Sequence, residues 1–358
     1  MQQLVTRYAD AVRAAAAAGT PVRPRGGGSK DFYGNALAGE ILDTRGYIGV
    51  VDYEPTELVV TARAGTPLAE LEATLAASGQ MLAFEPPHFG AATLGGCIAA
   101  GLSGPRRAAA GSVRDFMLGV RMLDGQGRDL HFGGQVMKNV AGYDVSRLMA
   151  GSLGTLGLIL EASLKVLPLP PAHATLRFEM PEDAALRSMN LWAAKPLPVS
   201  ASCFAGNELT LRLSGSQAAV RAAADRLGGE LDCDASHDQA FWHGLREQTL
   251  DFFQGDAPLW RLSVPSNTPA LKLAGAQLIE WGGALRWLKS GADARGIRDA
   301  AAKAGGHATL FRAPEDSVYK TAGAFQQLDA PLLAIHRRLK QEFDPKGIFS
   351  PGRMIPDF

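Results

Sequence analysis

The residues with the clearest chemical potential are glycines and their polar neighbours, not a set of acids and bases. Arg25-Gly-Gly-Gly-Ser29 places three successive glycines between a cation and a hydroxyl. Such a run permits positive φ and close backbone approach, so consecutive N–H groups can converge on an anion such as a pyrophosphate. It is not the G-x-G-x-x-G dinucleotide fingerprint, because its glycines are consecutive and lead into Lys30-Asp-Phe-Tyr33. Nor does any Gly-Lys-Ser phosphate loop occur. Taken alone, the run also reads as a surface hairpin turn. Two further clusters give it company. Gly95-Gly96, Gly101, Gly104 and Gly111 form the second, and Gly154 with Gly157 the third. Glycines at this density suit backbone lying flat against a large ligand, and three clusters imply an extended cofactor buried along its length.

Conventional catalytic groups are sparse. His237 and His243 flank Trp242 and read as helix-surface residues, while His307 reads as a structural histidine at a strand start. Arg106, Arg107, Arg261, Arg286 and Arg312 could each clamp a substrate carboxylate, but no convincing base accompanies them. Cys97, Cys203 and Cys233 are too few and too scattered for a disulfide scaffold or a zinc or iron–sulfur ligand set.

The 358 residues favour two domains, and 46% hydrophobic residues suffice for substantial cores. Lys plus Arg balances Asp plus Glu at 36 each, which argues against nucleic-acid binding. No signal peptide and no membrane-spanning stretch is expected, so a reducing cytoplasm is the simplest home, with peripheral attachment to the inner membrane through a complex left open.

The elements that must position the glycine clusters follow from periodicity and turn chemistry. A helix over 3–18 stops at Gly19 and Pro21. Strands are expected at 40–42, 50–52 and 58–63, and then a helix capped by Thr66 with Pro67 at its first position and Leu68, Leu71 and Leu75 inward. Strands 118–123 and 130–132 flank the turn Asp124-Gly-Gln-Gly127, and 158–167 reads as one long strand. After Pro168, Pro170 and Pro171, strands at 174–179, 208–213, 260–264, 284–287 and 307–311 alternate with helices at 182–193, 216–227 and 292–304. That pattern predicts an antiparallel α+β layer. A helix over 335–343 precedes a fixed Gly- and Pro-rich closing segment. The expected domains are 1–170, 171–330 and a C-terminal segment 331–358 returning to the first.

Pro24 to Ser29, Thr93-Leu-Gly-Gly96, Arg114-Asp115, Gly142-Tyr-Asp144 with Arg147-Leu148, Gly154-Thr-Leu-Gly157 and Asp344-Pro-Lys-Gly-Ile-Phe-Ser-Pro-Gly352 occur in one order along the chain. In that order they resemble the FAD-binding domain of the vanillyl-alcohol oxidase and p-cresol methylhydroxylase (PCMH-type) superfamily. Lys138 to Asp144 and Gly101-Leu-Ser-Gly-Pro-Arg106 resemble one branch in particular, the FAD-binding subunits of bacterial glycolate oxidases.

The resemblance implies an α+β chain with a two-part PCMH-type FAD-binding domain followed by an antiparallel sheet-plus-helices, cap-like domain. It implies non-covalent FAD, with Arg25, Gly26, Gly27, Gly28 and Ser29 at the pyrophosphate. Thr93, Leu94, Gly95, Gly96, Ser103 and Gly104 would line the ribityl–isoalloxazine region, with Gly111 and Asp115 nearby. Gly157 and Ile159 would meet the adenine end, and Lys138 or Tyr143 would approach the flavin or phosphates. Relatives with covalent flavin attach it through His or Cys; here Cys97 reads as small-residue packing and His88 as a loop histidine. Catalytic relatives carry a His-x-Gly-Asp-Gly-Asn-x-His run where this chain has Gly305-Gly-His-Ala-Thr-Leu-Phe311. The expected role is therefore a flavoprotein subunit supporting oxidation of glycolate to glyoxylate. Its expected partners are a homologous catalytic flavoprotein subunit and an iron–sulfur subunit. A self-sufficient FAD-dependent oxidase or dehydrogenase of another small hydroxy acid or alcohol, and a structural subunit that has lost FAD, stay open as alternatives.

Overall fold

A computed structural model describes every residue except 135–143, 233, 315–318, 320–322 and 357. Lys138, Tyr143 and Cys233 thus lie outside the described residues. The chain divides into two compact units, one comprising 1–102, 112–168 and 327–358 and the other 103–111 and 169–326.

In the first unit the helix Gln2–Ala18 buries Val5, Tyr8, Val12 and Ala15, one face of a 3.6-residue period, and ends at Gly19 in the left-handed conformation. It packs on a parallel pair, Val22–Arg25 with Glu40–Asp43, and on Leu158, Leu160, Ile348 and Phe349. A five-stranded antiparallel sheet runs in the order Val50–Glu54, Val59–Arg63, Leu158–Lys165, Met117–Leu123, Asp129–Gly133. The hairpin between the last two in that order turns on Asp124. Its Oδ1 accepts from the Gln126 and Arg128 amides, both at 2.9 Å.

Two local expectations need correction. The helix Leu68–Ala77 starts one residue later than Thr66 capping requires, with Pro67 at the N-cap and no side-chain cap bond. The Thr66 hydroxyl instead accepts from the Gly49 amide at 2.9 Å, tying down the preceding loop. The long strand expected over 158–167 ends at Lys165, and Leu167–Pro168 pairs separately with Gln80–Met81.

The second unit is an eight-stranded antiparallel sheet. Its order is Glu230–Leu231, Ala172–Glu179, Glu208–Gly215, Val199–Ala205, Ala276–Glu280, Leu285–Lys289, Leu259–Ser263, His307–Arg312. The helices Glu182–Ala193, Gln217–Leu227 and Ala294–Lys303 bury apolar faces against it, the last through Ile297 and Ala301 beside Trp260, Leu262 and Leu310. The α+β reading holds, since helices cover antiparallel sheets in both units.

Candidate functional site

A cleft in the first unit gathers residues from Arg23 to Asp31, Thr93 to Ala100, Leu153 to Ile159 and the tail at Ser350 and Arg353, together with Leu37, Thr44 and Ala64. Of the residues expected from sequence, Arg25, Gly26, Gly27, Gly28, Ser29, Thr93, Gly95, Gly96, Gly157 and Ile159 line it. Its floor is the loop that follows the strand Val22–Arg25. There the chain is pressed against its neighbours. A Cβ at Gly27 would stand 1.4 Å from the Ala91 carbonyl oxygen, and one at Gly26 would stand 2.0 Å from the Thr93 hydroxyl. Gly28 has φ +73°, and a Cβ there would strike the Arg25 guanidinium at 2.2 Å. That guanidinium lies across the loop, with Nε donating to Asp31 Oδ2 at 2.7 Å.

The polar bookkeeping of the loop points to an anion. Among the described residues, the backbone N–H groups of Gly26, Gly27, Gly28 and Ser29 donate to no protein acceptor. Consecutive N–H groups left in this state form an anion-binding concavity. The charged side chains lining the cleft are Arg23, Arg25, Lys30 and Arg353 against one carboxylate, Asp31. A donor row plus excess positive charge fits the pyrophosphate of FAD, and the small residues Ala64, Ala99 and Ala100 leave room for a planar group beside it.

The second glycine cluster behaves differently. The short helix Leu94–Ala100 is capped by Thr93, whose Oγ1 accepts from Gly96. The Leu94 and Gly95 amides donate to Thr66 and Ala64 carbonyls at 3.0 and 2.8 Å. Its first N–H groups are therefore spent on protein. Gly95 is needed because a Cβ would come within 2.7 Å of the Ala64 Cβ. Leu94 is fully buried beneath the cleft and does not line it.

Ser103, Gly104, Gly111 and Asp115 are not among the cleft-lining residues. The first three belong to the second unit, where the Gly104 carbonyl accepts from Trp281 Nε1 at 3.0 Å. Asp115 caps its own short helix, accepting from the Ser112 amide and hydroxyl, both at 2.8 Å. Gly157, at φ +150°, sits where a Cβ would meet the Leu123 carbonyl at 2.4 Å. Sequence reasoning missed Leu37, Thr44, Ala64, Leu153 and Ser350 as lining residues, and it saw Arg353 only as part of a returning tail. Small or apolar residues give no chemical signal, but the arginine after Pro351-Gly352 does.

Neither attachment candidate lines the cleft. Cys97 is 1% exposed, and burial pushes its thiol up to about 12, so it is no nucleophile at neutral pH. His88 Nε2 shares a hydrogen bond with Glu72 Oε2 at 3.0 Å.

The arginines proposed as clamps all have work within the second unit. Arg107 and Arg261 stack on the Trp281 ring at 4.4 and 5.2 Å. Arg286 donates to the Gly283 and Thr268 carbonyls, Arg106 to Ser214, and Arg312 to Gln248. Among the described residues no group of His, Cys, Asp and Glu could hold a metal, and no helix is long and apolar enough to cross a membrane.

Residues 5–133 match the family model described as an FAD binding domain. The chain is 51% identical over 339 residues to glycolate oxidase subunit GlcE of Escherichia coli, covering 94% of this chain and 93% of that one. It is 29% identical over 184 residues to glycolate oxidase subunit GlcD of Bacillus subtilis, covering 50% of this chain and 39% of that one. A D-2-hydroxyglutarate dehydrogenase of Xanthomonas citri is 31% identical over 54% of this chain and 39% of its own length. Among solved structures, an alkyldihydroxyacetonephosphate synthase superposes with TM-score 0.65 at 17% identity, covering 96% of this chain and 73% of that one, which shows a shared fold.

Proposed function

The chain belongs to the family of glycolate oxidase GlcE subunits, flavoproteins with an FAD-binding domain, and on that premise we propose that it is the FAD-binding subunit of a glycolate oxidase complex. In that role it supports oxidation of glycolate to glyoxylate beside a homologous catalytic flavoprotein subunit, with an iron–sulfur subunit taking the electrons onward. The observation that carries the reading is the row of unclaimed N–H groups from Gly26 to Ser29 in a cleft rich in cations. FAD, when bound, supplies a two-electron acceptor at its ring system. The chain's own residues do the holding. Gly26 to Ser29 offer backbone donors to the pyrophosphate, Arg25 and Arg23 balance its charge, and Ser29 adds a hydroxyl. Thr93, Gly95 and Gly96 give a flat wall, and Gly157 and Ile159 the far end. Leu94 packs behind that wall, and Ser103, Gly104, Gly111 and Asp115 keep the place this reading gives them, near the ribityl–isoalloxazine region.

Attachment is non-covalent in this reading, supported by the protonated, buried thiol of Cys97 and by the Glu72 partner of His88. A flavin oxidation of a 2-hydroxy acid also needs a base near the alcohol. His307 opens the strand His307–Arg312 opposite Ser263, with no acid or second histidine in its run. Turnover therefore belongs to the partner flavoprotein subunit, and this chain contributes a second flavin site.

The purified chain, reconstituted with FAD, tests this directly. A flavin spectrum that survives gel filtration, is released into the supernatant on acid precipitation, and stays oxidised on anaerobic addition of glycolate is the expected result. Bleaching by glycolate would make the chain a catalyst by itself, and a colourless protein after FAD addition would leave it a structural subunit.

A further inference from the structure

The tail reaches the cleft at Ser350 and, as its one charged side chain there, Arg353. Arg353 is 5% exposed although it is a cation, and burial pulls its pKa down to about 10, still charged at neutral pH. Its Nη2 donates to the Asp31 carbonyl at 2.8 Å and to the Tyr33 carbonyl, and its Nη1 donates to the Asn35 carbonyl. The grip is reciprocal. The Asn35 amide donates to the Arg353 carbonyl at 3.1 Å, and Asn35 Nδ2 donates to the Gly352 carbonyl at 2.9 Å. Beside this latch, the Val22 amide donates to Ile348 and the Ser350 amide to Val22, both at 2.8 Å, so the tail also lies along the strand that leads into the loop.

Three carbonyls aimed at one guanidinium are an unusual commitment for a loop. Residues 31–35 contain no regular element, and turns in which the Asp31 amide donates to the Gly28 carbonyl and the Tyr33 amide to the Lys30 carbonyl support the backbone locally. The carbonyls would otherwise have to find water. With the guanidinium in place, the chain from Asp31 to Asn35 is fixed from inside, and the N–H row immediately before it keeps one orientation.

We propose that Arg353 is a positioning residue for flavin: by gathering the Asp31, Tyr33 and Asn35 carbonyls it holds the preceding Gly26–Ser29 loop in the shape that receives the pyrophosphate. The proposal rests on the reading that this loop is the phosphate site. It makes the segment at 348–354 a working part of the cofactor site rather than a wrapping of the domain. A preformed row of donors binds an anion without the cost of ordering the loop at that moment, which is where the affinity gain arises.

The test is a set of fluorescence titrations with FAD and with ADP, which carries the pyrophosphate and adenosine without the flavin ring. Wild type is compared with Arg353→Ala, Asn35→Ala and Gly27→Ala, and the melting temperature of each apoprotein is recorded. Losing charge-assisted bonds of this kind corresponds to about 10- to 100-fold in Kd, so Arg353→Ala should weaken FAD and ADP by that factor. Asn35→Ala removes the side-chain latch on Gly352 without touching a cleft-lining residue, and should weaken both ligands about 5-fold. If Arg353→Ala does not fold, Asn35→Ala decides. A merely structural role would lower the apoprotein melting temperature while leaving Kd of the folded variants at the wild-type value, and that result overturns the proposal. If Gly27→Ala also binds FAD as wild type does, the loop is not the phosphate site, and the reading beneath the proposal fails with it.

Discussion

Two glycine clusters face the same cleft for opposite reasons. At Gly26 to Ser29 the backbone donors have no protein acceptor, and the glycines let the loop lie close to Ala91 and Thr93. At Leu94 to Gly96 the donors are already engaged by Thr66, Ala64 and Thr93, and Gly95 exists so that a helix can touch a strand. One cluster leaves its donors open and the other spends them on packing. Glycine density alone does not separate these cases, whereas following each N–H to its acceptor does.

Substitutions should pull the two apart. The largest effect is expected at Gly27→Ala: a Cβ 1.4 Å from a backbone oxygen forces the loop to move, and FAD affinity should fall by more than about 100-fold. Isothermal titration of the folded variant measures it. Gly95→Ala should instead destabilise the first unit by about 1–3 kcal/mol through overpacking against Ala64, read by denaturant unfolding, with a much smaller change in the FAD affinity of the folded fraction. If Gly95→Ala loses flavin without losing stability, the contrast collapses. Thr93→Ala removes the cap acceptor of Gly96 and should cost about 1 kcal/mol in the same unfolding experiment. Ser29→Ala, which removes one hydroxyl while leaving the N–H row, should weaken FAD only about 2- to 5-fold.

A pH experiment sharpens the packing side. Burial raises the Cys97 thiol to about 12, and burial with the Glu161 hydrogen bond raises Tyr47 to about 12. Both folded-state values lie above the ordinary ones of 9.0 and 10.0. The unfolded chain therefore releases these protons first, so stability is intact below about pH 9 and falls as pH rises toward 12. Iodoacetamide at pH 8 should leave Cys97 unlabelled in the native protein and label it after denaturation.

Much of this organisation was readable from the residues. The helices at 182–193 and 216–227 and the strands at 208–213 and 307–311 carry strong periodicity and clear breaks, and they form within one or two residues of expectation. Val199–Ala205 was not readable, because Val-Ser-Ala-Ser-Cys-Phe-Ala is buried along its middle with no alternation and is rich in small residues. Ala276–Glu280 was missed because its five residues carry only Leu278 and Ile279 as signal. In the cleft, the Arg25–Ser29 run announced itself by composition. Asp115 did not announce that it would cap its own helix, since an acid three residues after a serine has the same sequence signature whether or not a ligand is near. Arg353 was legible as a residue but not as a contact, for its partners lie more than 300 positions away in sequence.

That separation has a consequence for the birth of the protein. The first unit is interrupted by the whole of 169–326, so a ribosome must finish the second unit before it supplies 327–358. Residues 169–326 are a continuous stretch holding nearly all of the second unit, and can begin folding as they emerge. The nascent first unit meanwhile waits with Val22, Leu42 and Tyr47 lacking Ile348 and Phe349, and with the carbonyls of Asp31, Tyr33 and Asn35 open to water. Contacts of this sequence separation form slowly, and an incomplete core left exposed in the interval is where aggregation begins. Expression yield should therefore respond to free flavin, chaperones and temperature through this late closure more than through the stability of the finished fold.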